Sequence, residues 1–308
     1  MEIDIKTWLV PFYERLTGPW RRRELRRLAD EGRAPIVIFF YHRIADDGRV
    51  PWTMSPSTFR RQIEWLRTHC DLITLEEAGR RMEQGNDRLA AHVTFDDGYA
   101  DNLDEAIPLL IEWGVPCTYF VTLEPIVTGR PFPHDAERGE PLPPNSVSEL
   151  RQMADAGIEI GAHTRTHVDL GRPFSRSRLH DEIITSADEL SQRLGRAIRY
   201  FAFPFGHPQH ISAAAWEVAA GGRFDAIASA FGGYNLPQPG ADPPPTRHFL
   251  RFAADAKFLR FRNTARFDPR KEGEPALPRF DGGRRSDKPD AGTDDWETSP
   301  GSTVEVPV

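Results

Sequence analysis

Cysteine is almost absent from this chain of 308 residues: Cys70 and Cys117 are its only two, far apart and in no Cys-x-x-Cys spacing. That excludes a disulfide framework, and both read as buried thiols in a reducing compartment. Lysine is nearly as scarce, occurring only at Lys6, Lys257, Lys271 and Lys288, so arginine supplies the positive charge. The formal net charge is -7. No segment joins a strong basic excess to interleaved aromatics, which argues against nucleic acid as a partner. Long apolar runs are missing too: nothing approaches the roughly 20 residues of a transmembrane segment. Met1–Trp20 scatters Asp4, Lys6, Glu14 and Arg15 among its apolar residues and has neither the apolar core nor the cleavage site of a secretory signal. The expectation is a soluble, cytoplasmic chain.

What is present is alternation. Short apolar runs at Ile36–Tyr41, Ala91–Phe95, Cys117–Val121, Glu159–Ala162, Tyr200–Phe203, Ala226–Ala230 and, more weakly, His248–Phe252 have the β-branched and aromatic content of buried parallel strands. Helical patterns lie between them at Pro56–Leu66, Asp101–Trp113, Ser146–Ala156 and Arg178–Leu194. Gly114, Gly157 and Gly195 act as stops, and Ser146 with Glu149 has capping-box spacing. Strands and helices in this order predict βα units around a parallel sheet or barrel. Residues 1–34 form an N-terminal helical extension. Its Arg21–Arg27 stretch reads as a solvated helix rather than a membrane contact, because the apolar face looks thin. The catalytic unit spans 35–270, and its proline-rich segment 128–145 reads as a long loop over the mouth. Residues 271–308, poor in apolar anchors, read as a disordered tail.

Three motifs fall at predicted strand ends. Thr94-Phe95-Asp96-Asp97-Gly98-Tyr99 places two carboxylates where βα folds keep their active sites. Adjacent carboxylates rarely both stay ionised without a cation nearby, although an Asp-Asp-Gly turn in solvent is the bland alternative. Gly161-Ala162-His163-Thr164-Arg165-Thr166-His167 carries His-x-x-x-His, which lets two imidazoles converge on one ion. With Asp97 this makes two histidines and a carboxylate, a set for a divalent metal. Zinc is the first choice, and cobalt, nickel, manganese or iron also fit. Phe201-Ala202-Phe203-Pro204-Phe205-Gly206 runs from a strand into a turn. Tyr41-His42-Arg43 and Thr246-Arg247-His248-Phe249 put further polar groups at predicted strand ends.

The motifs in this order, with Phe40-Tyr41-His42-Arg43 ahead of them, resemble the polysaccharide deacetylase family (carbohydrate esterase family 4) over roughly residues 35–265. The resemblance implies an α/β fold, a distorted (β/α) barrel with about seven parallel strands. It implies a metal-dependent hydrolase removing N-acetyl groups from amino sugars, with an N-acetylated saccharide as its partner. It also implies Asp97, His163 and His167 as metal ligands, Asp96 as general base, and the Phe205 N–H as a donor to the developing oxyanion.

Two departures from the family pattern stand out. The family's bracing arginine is replaced by Ala202, and Arg199 would point to the opposite face. Arg247 or Arg43 could then brace Asp96 from another strand, Arg247 being the first choice. The family's general-acid motif has no clean copy here. His248 is the nearest candidate, with His42 and His134 as alternatives. His42, Arg247 and His134 also read as substrate-binding residues. The rival readings are the same fold acting on a non-sugar amide or imide, and a glycan-binding protein without turnover.

Overall fold

The computed structural model of the chain describes residues 5–47 and 50–271. The tail expected over 271–308 lies outside the described residues beyond Lys271. A 26-residue helix, α1 (Ile5–Asp30), leads into the first inner strand, β1 (Ile36–Tyr41). A small two-strand pair follows, β2 (Arg43–Ile44) and β3 (Thr53–Met54), and then α2 (Pro56–His69), β4 (Asp71–Leu72), α3 (Leu75–Gln84) and β5 (Ala90–Phe95). Next come α4 (Ala106–Glu112), β6 (Cys117–Val121), α5 (Leu123–Thr128), α6 (Pro133–Glu137), α7 (Val147–Asp155) and β7 (Glu159–Ala162). Helices α8 (Arg176–His180) and α9 (Ser186–Leu194) are joined by a π-helical turn, Asp181–Thr185, and lead to β8 (Tyr200–Ala202). The chain finishes with α10 (Ala213–Ala219), β9 (Ala226–Ser229), β10 (Arg247–Leu250), β11 (Phe252–Ala253) and α11 (Phe258–Ala265).

The main sheet runs β10-β9-β8-β7-β6-β5-β1-β11, every pairing parallel, with β4 added beside the start of β5. The two ends of that order are one length of chain. β10 pairs with β9, the strand breaks at Arg251, and β11 continues on β1. A single interrupted strand thus closes the sheet into a distorted barrel. Below the break the seam is bridged by Asn235. Its backbone exchanges hydrogen bonds with Ile36 (2.9 and 3.0 Å), its Nδ2 donates to the carbonyl of Leu250, and its Oδ1 accepts the Leu250 N–H.

Strand alternation sorts the side chains into two cores. Ile36, Ile38, Ala90, Phe120, Tyr200, Ala202, Ala226, Ala228 and Phe249 line the inside, capped by Ile73, Leu75 and Ala78 from around α3. The larger outer core packs residues such as Val37, Phe39, Val93, Tyr119 and Ile227 against the helices. The inner lining is tight enough to demand Gly161, where a Cβ would meet the Phe120 ring at 2.4 Å.

Local chemistry places the helix ends. Ser55 caps α2 ahead of Pro56, and Ser146 and Glu149 form the expected capping box of α7. The single helix predicted over Asp101–Trp113 is instead a 3₁₀ turn at Ala100–Leu103 followed by α4. Asn102 causes the split: its amide accepts from Ile44 N–H and donates to the carbonyl of His42, tying this turn to the end of β1.

His92 is the one imidazole inside the barrel lining away from the mouth. Its Nδ1 donates to the carbonyl of Ile73 (2.7 Å) and its Nε2 accepts from Thr118 Oγ1 (3.0 Å). Burial pushes its pKa down to about 4. With the folded value below the unfolded one of about 6.5, the contribution is complete above pH 6.5 and is lost as the pH falls towards 4. Urea unfolding at stepped pH should show a loss on the order of 3 kcal/mol from this residue. A His92→Gln chain should show a correspondingly shallower decline, and an unchanged slope would contradict the assignment.

Candidate metal centre

The C-terminal ends of β5 and β7 deliver Asp97, His163 and His167 to one point. One ligand atom from each lies within 4.8 Å of the other two. Nε2 of His167 and Nε2 of His163 stand 3.1 and 3.5 Å from Asp97 Oδ1. Yet that buried oxygen takes part in no hydrogen bond. His163 Nδ1 donates to the carbonyl of Ala202 (2.8 Å), which leaves the Nε2 lone pair facing Asp97. Lone pairs converging on an oxygen that has no proton donor are the arrangement a cation fills. The donor set therefore fits a divalent metal.

Electrostatics agree with the geometry. Burial alone would raise the Asp97 pKa, but the imidazoles of His167, His42 and His163 outweigh it and hold the carboxyl well below its usual range. Burial pushes His163 down to about 4. It would also lower His167, but the adjacent Asp97 keeps that ring above its ordinary value.

The backbone here is strained, and the strain is local. Five non-glycine residues have positive φ among the described residues. Four of them surround this point: Asp97 (75°), Thr164 (67°), His167 (58°) and Phe205 (58°). Each such residue costs about 1–3 kcal/mol and persists where the surroundings over-determine it. Three groups do so here. Thr122, fully buried at the end of β6, donates its N–H to the Asp97 carbonyl and its Oγ1 to the His163 carbonyl. Thr164 Oγ1 accepts the His167 N–H. Glu182, fully buried in the π-helical turn, accepts the N–H groups of Arg165 and Thr166 (3.0 and 2.9 Å) and the Thr166 hydroxyl. Glu182 carries no sequence signal beyond its place in an amphipathic pattern, and a π turn is what rotates it onto the histidine loop.

Asp96, beside Asp97, points into the barrel. Its carboxylate is gripped at both oxygens by Arg251, Nη1 to Oδ1 at 2.7 Å and Nη2 to Oδ2 at 2.9 Å. Arg251 also donates to Thr94 Oγ1 and to the Ser229 carbonyl, and lies over the rings of Phe40 and Phe120. This corrects the expectation for the brace. Arg247 sits at the opposite, N-terminal end of the same strand, against Gly79 and in an ion pair with Glu83. It reaches neither Asp96 nor a substrate at the mouth. Arg43 turns to Asp101 and Asp47. The signal for Arg251 was available: it shares a face with Arg247 and lies four residues nearer the C-terminal end, where βα folds place their sites.

His248 is corrected in the same way. As the neighbour of inward-facing Phe249 it points outward, its Nε2 2.7 Å from Ser229 Oγ and its ring against Trp216 and Phe231. Burial pushes it down to about 4. It is a packed imidazole of the outer core. His42 follows Tyr41, which pairs with Phe95, so it stands beside Asp96 across the ladder. His134 enters from α6 in the proline-rich segment, its ring 5.6 Å from that of His167 and 5.3 Å from Trp52. That segment is anchored at Tyr99, whose hydroxyl donates to Asp135 Oδ2 and accepts from Trp52 Nε1. Phe205 leaves its side chain 42% exposed and its N–H without an acceptor among the described residues. Gly206 allows that turn, since a Cβ there would meet the Ala230 nitrogen at 2.7 Å.

Residues 84–221 match the family model described as polysaccharide deacetylase. The matched segment, a little under half of the chain, is similar to the polysaccharide deacetylase family. It is 29% identical over 142 residues to YxkH of Bacillus subtilis, whose name places it among polysaccharide deacetylases; the match covers 44% of this chain and 45% of that protein. It is 25% identical over 165 residues to the poly-beta-1,6-N-acetyl-D-glucosamine N-deacetylase of Staphylococcus aureus, covering 50% and 54%. The chain thus spans about half the length of the curated relatives it matches. Among solved structures, the Streptococcus pyogenes deacetylase PplD in complex with acetate shares the fold at a TM-score of 0.60 and 18% identity, covering 77% of this chain and 100% of that one. IcaB from Ammonifex degensii does so at 0.58 and 23%, covering 75% and 97%. The barrel fold is therefore shared with these solved structures.

Replacing Glu182 by alanine leaves the Arg165 and Thr166 N–H groups unpaired and frees the loop that carries His167. Divalent-metal affinity, measured by competition with a chromogenic chelator, should fall on the order of 10–100-fold. Unaltered affinity would show that the loop holds its shape without this carboxylate.

Proposed function

We propose that this chain is a metal-dependent hydrolase that removes N-acetyl groups from N-acetylhexosamine units of a glycan or glycan precursor. The observation that carries the reading is the pair of adjacent carboxylates with opposite partners. Asp97 faces two imidazoles through an unpaired oxygen, and Asp96 is held by Arg251 beside it. Asp97, His163 and His167 would hold the metal, with zinc the first choice for a donor set of two imidazoles and one carboxylate. A divalent ion bound there supplies Lewis-acid polarisation of the amide carbonyl and acidifies a water. Asp96 takes the proton of the attacking water, Arg251 holding the carboxylate in orientation through both oxygens. The Phe205 N–H, free at the mouth, donates to the carbonyl oxygen as its charge develops.

The departing amine needs a proton, and we assign its delivery to His42. It stands beside Asp96, whereas burial and the nearby cationic groups leave His134 at about 4, without a proton near neutrality. We assign His134, whose ring lies against Trp52, to contact with the sugar instead. The name of the Staphylococcus aureus relative, an N-deacetylase of poly-β-1,6-N-acetylglucosamine, supports an N-acetylglucosamine polymer or its precursor as substrate. The binding-only reading rested on the missing brace, and Arg251 removes that ground.

Acetate release from N-acetylglucosamine oligomers tests the reading. It should require added metal, and Asp96→Asn should reduce kcat by about 10²–10⁴ with metal still bound. His42→Ala should fall by a similar factor, while His248→Ala should keep the parental kcat. Turnover of a cyclic imide with none of the acetylated sugar would overturn the substrate class. Full activity in Asp96→Asn would overturn the mechanism.

A further inference from the structure

Helix α1 contributes nothing to the site, and its two faces differ sharply. One face is docked on the barrel. Arg21 is buried there and donates to the carbonyls of Phe267 and Asn263 and to Asn263 Oδ1. Tyr13 donates to Asp268, Glu14 pairs with Arg262 and Arg266, and Leu28 is buried. The other face is apolar and open. Leu9, Phe12, Leu16 and Trp20 are 55%, 64%, 65% and 48% exposed. They make up four of the seven exposed large hydrophobics among the described residues. Their spacing of three, four and four places them in one stripe. Contrary to the expectation from sequence, the apolar face is not thin. The sequence pattern hides it because Tyr13, Leu25 and Leu28 spread apolar residues round the helix, and only docking separates the covered ones from the open ones.

Cations surround this stripe. Arg23 and Arg27 continue it towards the C-terminal end of the helix, and Arg15, Arg22 and Arg26 run along its flank, all exposed. Between Leu9 and Asp30 there are six arginines against three carboxylates in a chain whose net charge is -7. Two of those carboxylates are already engaged, Glu14 with Arg262 and Glu24 with Arg27. Arg22, Arg23 and Arg26 have no carboxylate within ion-pair distance among the described residues. Together with Pro19 and Asp30 they line a shallow depression along the helix.

We propose that α1 lies in the surface of an anionic lipid bilayer. Leu9, Phe12, Leu16 and Trp20 enter the boundary between headgroups and acyl chains, and Arg15, Arg22, Arg23 and Arg26 pair with lipid phosphates. The form of the surface selects this occupant. It is a convex ridge of large apolar side chains ending in a cationic cluster, with Trp20 where the two meet. That is the layout of helices that lie in the interface plane. Guanidinium forks match phosphate oxygens, and an acidic protein has no general attraction to an anionic surface, so this helix must supply it. None of this depends on the deacetylase reading. Among the described residues no helix is long and apolar enough to cross a membrane, so the contact is one of lying on the surface.

Co-sedimentation of the full chain with phosphatidylcholine vesicles, with and without phosphatidylglycerol, tests it. Binding should need the anionic lipid and weaken at least tenfold in 1 M salt, where screening acts within about 3 Å. The variant Leu9→Gln/Phe12→Gln/Leu16→Gln/Trp20→Gln should lose at least tenfold in affinity, as should Arg22→Gln/Arg23→Gln/Arg26→Gln, with metal affinity and Tm unchanged in both. Trp20 emission, isolated by difference from Trp20→Phe, should shift to the blue on vesicles. Folded protein that leaves anionic vesicles unbound would overturn the proposal. So would a concentration-dependent dimer in sedimentation velocity that the apolar variant dissolves, because the stripe would then be an interface between copies.

Discussion

The bidentate pair between Arg251 and Asp96 joins two requirements, barrel closure and a fixed orientation of the Asp96 carboxylate. The last strand must leave β9 and continue on β1, and Arg251 occupies the break between those pairings. Its backbone stands where strand pairing lapses, and its side chain crosses the interior to the end of β5. Burying a full ion pair costs several kcal/mol per ion in desolvation unless every polar atom finds a partner. Here the guanidinium also meets a hydroxyl, a carbonyl and two aromatic faces. One interaction thus pins the seam and aims the carboxylate. A substitution at Arg251 would therefore be felt in folding and in chemistry together.

The neighbouring carboxylate illustrates the opposite arrangement. Asp97 has a left-handed backbone, an oxygen with no donor and two imidazole nitrogens turned towards it. A protein interior tolerates such a group only when something else repays it. The supports are ordered in depth. Parallel strands set the positions, Thr122 ties the two ligand segments together, and Glu182 holds the histidine loop from behind. These ties fix the backbone around Asp97, His163 and His167, which lowers the cost of ordering them around any cation bound there.

The proline-rich segment and the Phe205 turn wall this site. The proline-rich segment brings Phe132 and His134 over the mouth and is fastened mainly through Tyr99, Trp52 and Asp135. Aromatic rings beside a strained, open turn at Phe205 form a surface suited to the apolar faces of a sugar ring, with polar tips to read its hydroxyls.

Much of this was legible beforehand, for identifiable reasons. Ile36–Tyr41, Cys117–Val121 and Glu159–Ala162 were read to the residue, because buried parallel strands are continuous apolar runs bounded by breakers. Asp96, Asp97 and His163 stood out because they come directly after such runs, and His167 because it completes a His-x-x-x-His spacing, so local spacing carried their placement. Arg251, Glu182 and Thr122 did not stand out. Their importance comes from which strand pairs with which, where a helix takes a π turn, and which carbonyl lies across a ladder. Arg247 and His248 looked attractive for the same reason. Period two along a strand says that alternate residues share a face, but not which face is inside or which end is the mouth. The sequence alone determined the order of strands and helices and brought forward Asp96, Asp97, His163 and His167 as candidates. Only the tertiary structure decided what braces Asp96, which histidines reach the mouth and which face of α1 remains open, because each depends on contacts between segments distant in the chain.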